Sequence, residues 1–272
     1  MASHRLAVID LELDPAGRLF WTENSQVSMV DGGPIRAFTA AAPAFMAFVD
    51  DRFYVSSLTE KSIFTGKPGE AVRLWIRDVS QPRFLASDGD LVYWTSDSAV
   101  NRADPRLAQP KVERLYHSED SRRLVVGGGM VRWIARAHLV EGPSEGGAAH
   151  DVADVSCGAN GLSATPTTVY WTTVDPGSRH ETLFAREGAA PIHEVTHLPR
   201  ERSEACPMTG AIALLDQTVF WATDAGVMAV GLSTNAMAMV AAVPEGVRAV
   251  AATSREVFWS TPSGKVERVV YP

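Results

Sequence analysis

LVYWTSD, residues 91–97, is the stretch on which the reading of this chain turns. Val92, Tyr93 and Trp94 run apolar without alternation, as a strand buried on both faces requires. The phrase returns as RLFWTEN (18–24), TVYWTTV (168–174), TVFWATD (218–224) and EVFWSTP (256–262). Two weaker copies, RFYVSS (52–57) and VRWIAR (131–136), keep the same register. The anchors are therefore Trp21, Val55, Trp94, Trp133, Trp171, Trp221 and Trp259, and six of the chain's seven tryptophans fall on them. Their separations of 34, 39, 39, 38, 50 and 38 residues define a repeating unit rather than scattered aromatic residues.

Each anchor strand follows a smaller apolar phrase, such as FLAS (84–87), LVVG (124–127) or VAAT (250–253). It precedes a short loop and another alternating stretch, such as GVMAV (226–230), and in most units a fourth, such as VERLY (112–116). Four short strands per unit of about 40 residues, punctuated by turn residues, predict an all-β, seven-bladed β-propeller of four-stranded antiparallel blades. Side chains alternate across a strand, so Val92 and Trp94 should meet one neighbouring blade and Tyr93 the other. The tryptophans are read as core, filling the wedge between blades. The last unit supplies three strands before the chain stops. HRLAV (4–8) is the expected fourth, an N-terminal strand that completes the last blade and closes the ring. Residues 1–272 are expected to form a single domain.

At 46% hydrophobic and 21% charged, the chain has the balance of a soluble globular protein. The net charge is −7 and the 25 Lys and Arg residues are scattered, which argues against a nucleic-acid partner. No apolar run approaches the ~18 residues of a membrane span. The start, MASHRLAVIDLELD, shows no secretory signal, so the default compartment is the cytoplasm. A monomer is expected.

The repeats VYWT, VFWAT and VFWST resemble those of YWTD-type propellers. The first unit, LDPAGRLFWTENSQVSMVDGG (13–33), also resembles blades of NHL and virginiamycin B lyase-like propellers. The resemblance covers nearly the whole chain and carries fold more than activity. The lyase-like resemblance implies a metal-assisted lyase or lactonase in which a divalent cation at the central funnel polarises a carbonyl or lactone oxygen. His117 or His180 would then be the general base.

HEVTH, residues 193–197, matches H-E-x-x-H, a pattern that on a helix puts two zinc ligands and a catalytic glutamate together. Here Pro191 and Pro199 fence a seven-residue segment in the place of a fourth strand. On a regular strand His193 and His197 share a face about 13 Å apart, too far for one zinc ion. The motif is read as accidental. Two long loops flank this blade, VDPGSRH (174–180) and PRERSEACPMTG (199–210), and are expected on one rim as a charged loop pair or a partner-contact lid. Cys157 and Cys206 fall in nearly equivalent loops of neighbouring blades. They are either a disulfide, which would mean an oxidising compartment, or two free thiols.

The column eleven residues before each anchor is expected to line the funnel mouth: Asp10, Ala44, Arg83, Arg122, Asn160, Gly210 and Arg248. The pattern around it repeats while the column varies, as a site on a repeated scaffold should. Asp10, Arg83, Arg122, Asn160 and Arg248, with Asp78 from a nearby loop, are the candidate ligand-binding residues. Three arginines around one funnel favour an anionic ligand, so a small anionic molecule or a partner's protein segment is expected there. No metal ligands and no cofactor are assigned by this reading, which makes a non-enzymatic binding module the leading function. The metal-assisted lyase is the alternative.

Overall fold

A computed structural model of the protein describes residues 8–23, 26–30, 33–35, 43–155, 161–174, 180–199 and 211–271. The chain forms seven small sheets, six of four strands and one of three among these residues, each running in chain order from an inner to an outer strand. This is the seven-bladed β-propeller expected from the repeats. The inner strands are Val8–Leu13, Pro43–Val49, Leu85–Ser87, Ser121–Gly127, Leu162–Ala164, Ile212–Leu215 and Ala249–Ala252. The second strands carry the anchors. The strand expected to close the last blade falls on residues 4–8, of which only Val8 is described, as the first residue of the first inner strand. None of the described segments is a helix long and apolar enough to cross a membrane.

The chain divides into two compact units. Ile9–Arg136 with Val140–Val152 carries blades one to four, and the other unit carries blades five to seven. Both are built by the same rule. In blade three, Val92 and Trp94 join a cluster with Ala47, Val49 and Tyr54 of blade two. Tyr93, between them, joins Leu124, Val131 and Trp133 of blade four. In the other unit Val219 and Trp221 meet Tyr170 and Leu183 of blade five, while Phe220 meets Val257 and Trp259 of blade seven. The unbroken apolar run of the anchor strand is thus explained, because period-two alternation feeds two cores at once.

Register is shared as well as composition. Met46 pairs with Val55, Leu85 with Trp94, Leu124 with Trp133, Leu162 with Trp171, Ile212 with Trp221 and Val250 with Trp259, nine residues apart in every case. Buried indole N–H groups find partners where a polar side chain is in reach. Trp133 donates to Ser118 Oγ at 2.7 Å, and Trp221 and Trp259 donate to Glu181 and Glu267 at 3.1 Å. Trp94 Nε1 is buried without a partner.

HEVTH lies within the strand His193–Pro199, paired antiparallel with His180–Glu187. The helical zinc motif is therefore absent, as the flanking prolines predicted. The expectation that His193 and His197 share a face is corrected. The register shifts between Leu183 and Phe184, leaving Val195 as an extra residue, so Glu194 pairs with Phe184, His193 with Ala185 and His197 with Thr182. One inserted residue moves His193 to the opposite face from His197.

Candidate functional site

A second irregularity recurs on the inner strands and decides which side chains face inward. In blade three Arg83 N–H donates to Thr95 O at 2.8 Å while Thr95 N–H donates to Phe84 O at 3.1 Å, so two residues oppose one. In blade four the register shifts between Arg122 and Leu124, which leaves Arg123 as the extra residue at φ 45°. Blade two shifts between Pro43 and Met46, with Phe45 held by Ser56, whose Oγ accepts the Phe45 N–H at 3.1 Å. A β-bulge kinks a strand and re-aims its side chains. Here it separates the residue eleven before the anchor from the residue ten before it.

The expected site residues part accordingly. Arg122 is exposed and bonded to Asp120 at 3.1 Å. Arg83 is bonded to Gln81 at 3.0 Å and lies 3.7 Å from Asp97. Arg248 and Asp78 are exposed, the latter at φ 58°. His117 ends the strand Glu113–His117 and His180 opens the strand His180–Glu187, and both are exposed. Ala44 is buried, with its carbonyl accepting from Thr22 Oγ1 at 2.6 Å. Asn160, Gly210, Cys157, Cys206 and the charged loop residues Arg179, Arg200, Glu201, Arg202 and Glu204 lie outside the described residues, and with them the disulfide and lid expectations.

Asp10 is the expected residue that joins a cluster. Its Oδ2 accepts the backbone N–H of Met46 at 2.9 Å, linking the inner strands of blades one and two. Glu12, two residues on along the same strand, points the same way. Arg123 acts electrostatically on both carboxyl groups. The guanidinium carbon of Arg123 lies 5.5 Å from the centre of the Phe84 ring, in cation–π range. Phe84 in turn packs on Phe45, ring centres 4.0 Å apart. All five side chains are half-buried: water can touch them, but protein surrounds them.

That enclosure sets the charges. Burial raises Asp10 from 3.8 to about 6, against the opposing pull of the Met46 N–H and Arg123. Burial and the neighbouring Asp10 charge push Glu12 well above the usual carboxylate range, again opposed by Arg123. Burial also lowers Arg123, while Asp10 and Glu12 hold it up. Arg123 thus opposes the cost of burying two neighbouring acids without cancelling it. Residue reading missed Glu12, Phe45, Phe84 and Arg123. The legible signal was the adjacent pair Arg122-Arg123, but only the bulge decides which of the two turns inward. Among the described residues no group of three or more His, Cys, Asp or Glu is arranged to hold a metal ion.

Comparison with known proteins extends the fold and stops there. No protein-family model matches the chain, and a search of curated proteins finds no match. Solved structures match it along its length. A virginiamycin B lyase from Staphylococcus aureus superposes with a TM-score of 0.76 at 10% identity, covering 100% of this chain and 97% of that one. A hydrazine synthase chain from Kuenenia stuttgartiensis gives 0.76 at 13% identity, covering 97% and 96%. A streptogramin B lyase gives 0.74 at 10% identity, covering 100% and 96%. The structural neighbours thus include virginiamycin B lyase-type seven-bladed propellers, as the sequence resemblance implied. At these identities the likeness is one of fold.

Proposed function

We propose that the chain is a binding propeller whose ligand site is the inner-strand cluster of Asp10, Glu12, Phe45, Phe84 and Arg123. The observation that carries this is two carboxyl groups within the electrostatic reach of one guanidinium, beside a partly exposed aromatic pair. A cluster built only for stability would favour matched charges or an apolar filling, since a half-compensated buried network costs free energy. The arrangement suits a small molecule that presents an ammonium or similar cationic donor to the two acids and an apolar face to the phenylalanines. This differs from the anion expected from the rim arginines, because Arg83 and Arg122 already have partners.

The test is a calorimetric or NMR screen with matched compounds that share one aromatic body and differ in carrying an ammonium, a carboxylate or neither. Preferential binding of the ammonium series, lost in Asp10→Asn and strengthened as pH rises through about 6, supports the reading, because a cation binds the ionised acids. Preferential carboxylate binding that depends on Arg83, Arg122 or Arg248 would return the site to the rim.

An enzymatic role is the second reading, favoured by the Asp10 carboxyl, whose raised proton affinity suits acid–base exchange near neutral pH. The divalent cation implied by the lyase-like resemblance does not fit this cluster. A divalent ion needs several oxygen ligands about one point, and among the described residues no group of three or more acids, histidines or cysteines is arranged to hold a metal ion. A turnover assay on lactone and cyclic-ester substrates, with Asp10→Asn as control, separates enzyme from binder.

A further inference from the structure

The bulge in the strand His193–Pro199 brings Glu194 onto the same face as His180 and His197. On the strand His180–Glu187, residues 180, 182 and 184 alternate onto one face. Across from them His197 pairs with Thr182 and Glu194 with Phe184, so His180, Glu194 and His197 share that face. The contact between Glu194 Oε1 and His197 Nδ1, 2.7 Å, confirms it. On an unbulged strand residues three apart point to opposite sides. The His180 and His197 rings lie edge to face with centroids 5.1 Å apart and planes inclined at 71°. Two imidazoles bound to one tetrahedral ion at ~2.1 Å place their ring centres about 5 Å apart.

We propose that His180 and His197 together bind one borderline transition-metal ion, of the Zn2+ or Cu2+ class, with Glu194 as a positioning residue. Imidazole nitrogen selects these metals over Mg2+ or Ca2+, which take oxygen ligands. Glu194 occupies Nδ1 of His197, fixing the tautomer and leaving Nε2 to the ion, the role a carboxylate plays behind a metal-bound histidine. His197 and Glu194 are about half exposed, at 56% and 50%, so water can fill the remaining coordination positions. Two protein ligands make an open site. His193, on the other face, takes no part.

The experiment titrates the purified, untagged chain with Zn2+ by calorimetry and records the Cu2+ electron paramagnetic resonance spectrum near neutral pH. One ion per chain and a two-nitrogen copper spectrum are expected. His180→Ala and His197→Ala should each weaken binding by at least about tenfold and leave at most one nitrogen. Glu194→Gln should weaken it about tenfold while both nitrogens remain, which separates positioning from ligation. His193→Ala should change nothing. The three histidines are exposed, so the alanine variants should fold, which circular dichroism verifies. Failure of the wild type to bind, undiminished binding in the His180/His197 double variant, or an equal loss in His193→Ala would each overturn the proposal.

Discussion

At the step ten residues before the anchor, blades two to four carry Phe45, Phe84 and Arg123, whereas blades five to seven carry Gly161, Ala211 and Ala249. The backbone pairing around this step recurs in both groups. Arg248 N–H donates to Ser260 O at 2.8 Å just as Arg83 N–H donates to Thr95 O, and the anchor pairing is the same. Shared geometry with such different side chains shows that this step is not needed for the scaffold. Packing is set one residue later, by Leu85, Leu162 or Val250, and the step before it is free to carry chemistry. The proposed ligand site draws on the first four blades.

Measurements can break or sharpen that contrast. The largest effect should fall on the shared scaffold. Trp94→Ala and Trp221→Ala should each cost about 3–5 kcal/mol in denaturant unfolding, because each empties a buried site the size of an indole. A large cost in one unit and a small one in the other would show that the two are not built by one rule. Next comes Arg123→Met, which removes the cation acting on Asp10 and Glu12 and should cost about 1–2 kcal/mol near neutral pH, between an exposed and a buried pair. The loss should shrink in acid, where both carboxyl groups are protonated.

A smaller effect follows from Asp10 alone. Its carboxyl is raised from 3.8 to about 6 in the fold, so the folded chain holds a proton that the unfolded chain has released. This group's contribution is therefore fully present below about pH 4 and is lost as pH rises to about 6. Asp10→Asn should remove that decline, seen as a flatter dependence of melting temperature on pH over the same interval. The smallest effect should come from the rim. Arg122→Ala removes an exposed pair with Asp120 and should change stability by no more than about 0.5 kcal/mol.

The recurrence of Trp between apolar neighbours made the fold legible, because a wedge-shaped blade needs a large side chain at one fixed step and apolar side chains on both faces. Even the partition of Val92, Tyr93 and Trp94 between two cores followed from strand alternation. Of the proposed cluster, only Asp10 was legible. A bulge adds one residue to one strand and reverses the alternation beyond it, and nothing in the composition of Arg122-Arg123 or of EVT in HEVTH marks where that happens.

What the sequence determined by itself is the blade count, the register of the anchors and the strand character of HEVTH, all properties of local spacing and side-chain size. What the tertiary structure decided is which neighbour of each register step faces inward and whether Glu194 or His193 joins the face of His197. Those depend on single inserted residues whose position is fixed by the pairing of two strands. Arg123 rather than Arg122 turns toward Asp10 and Glu12, and Glu194 rather than His193 shares the face of His180 and His197, because a bulge shifts every later side chain to the other face.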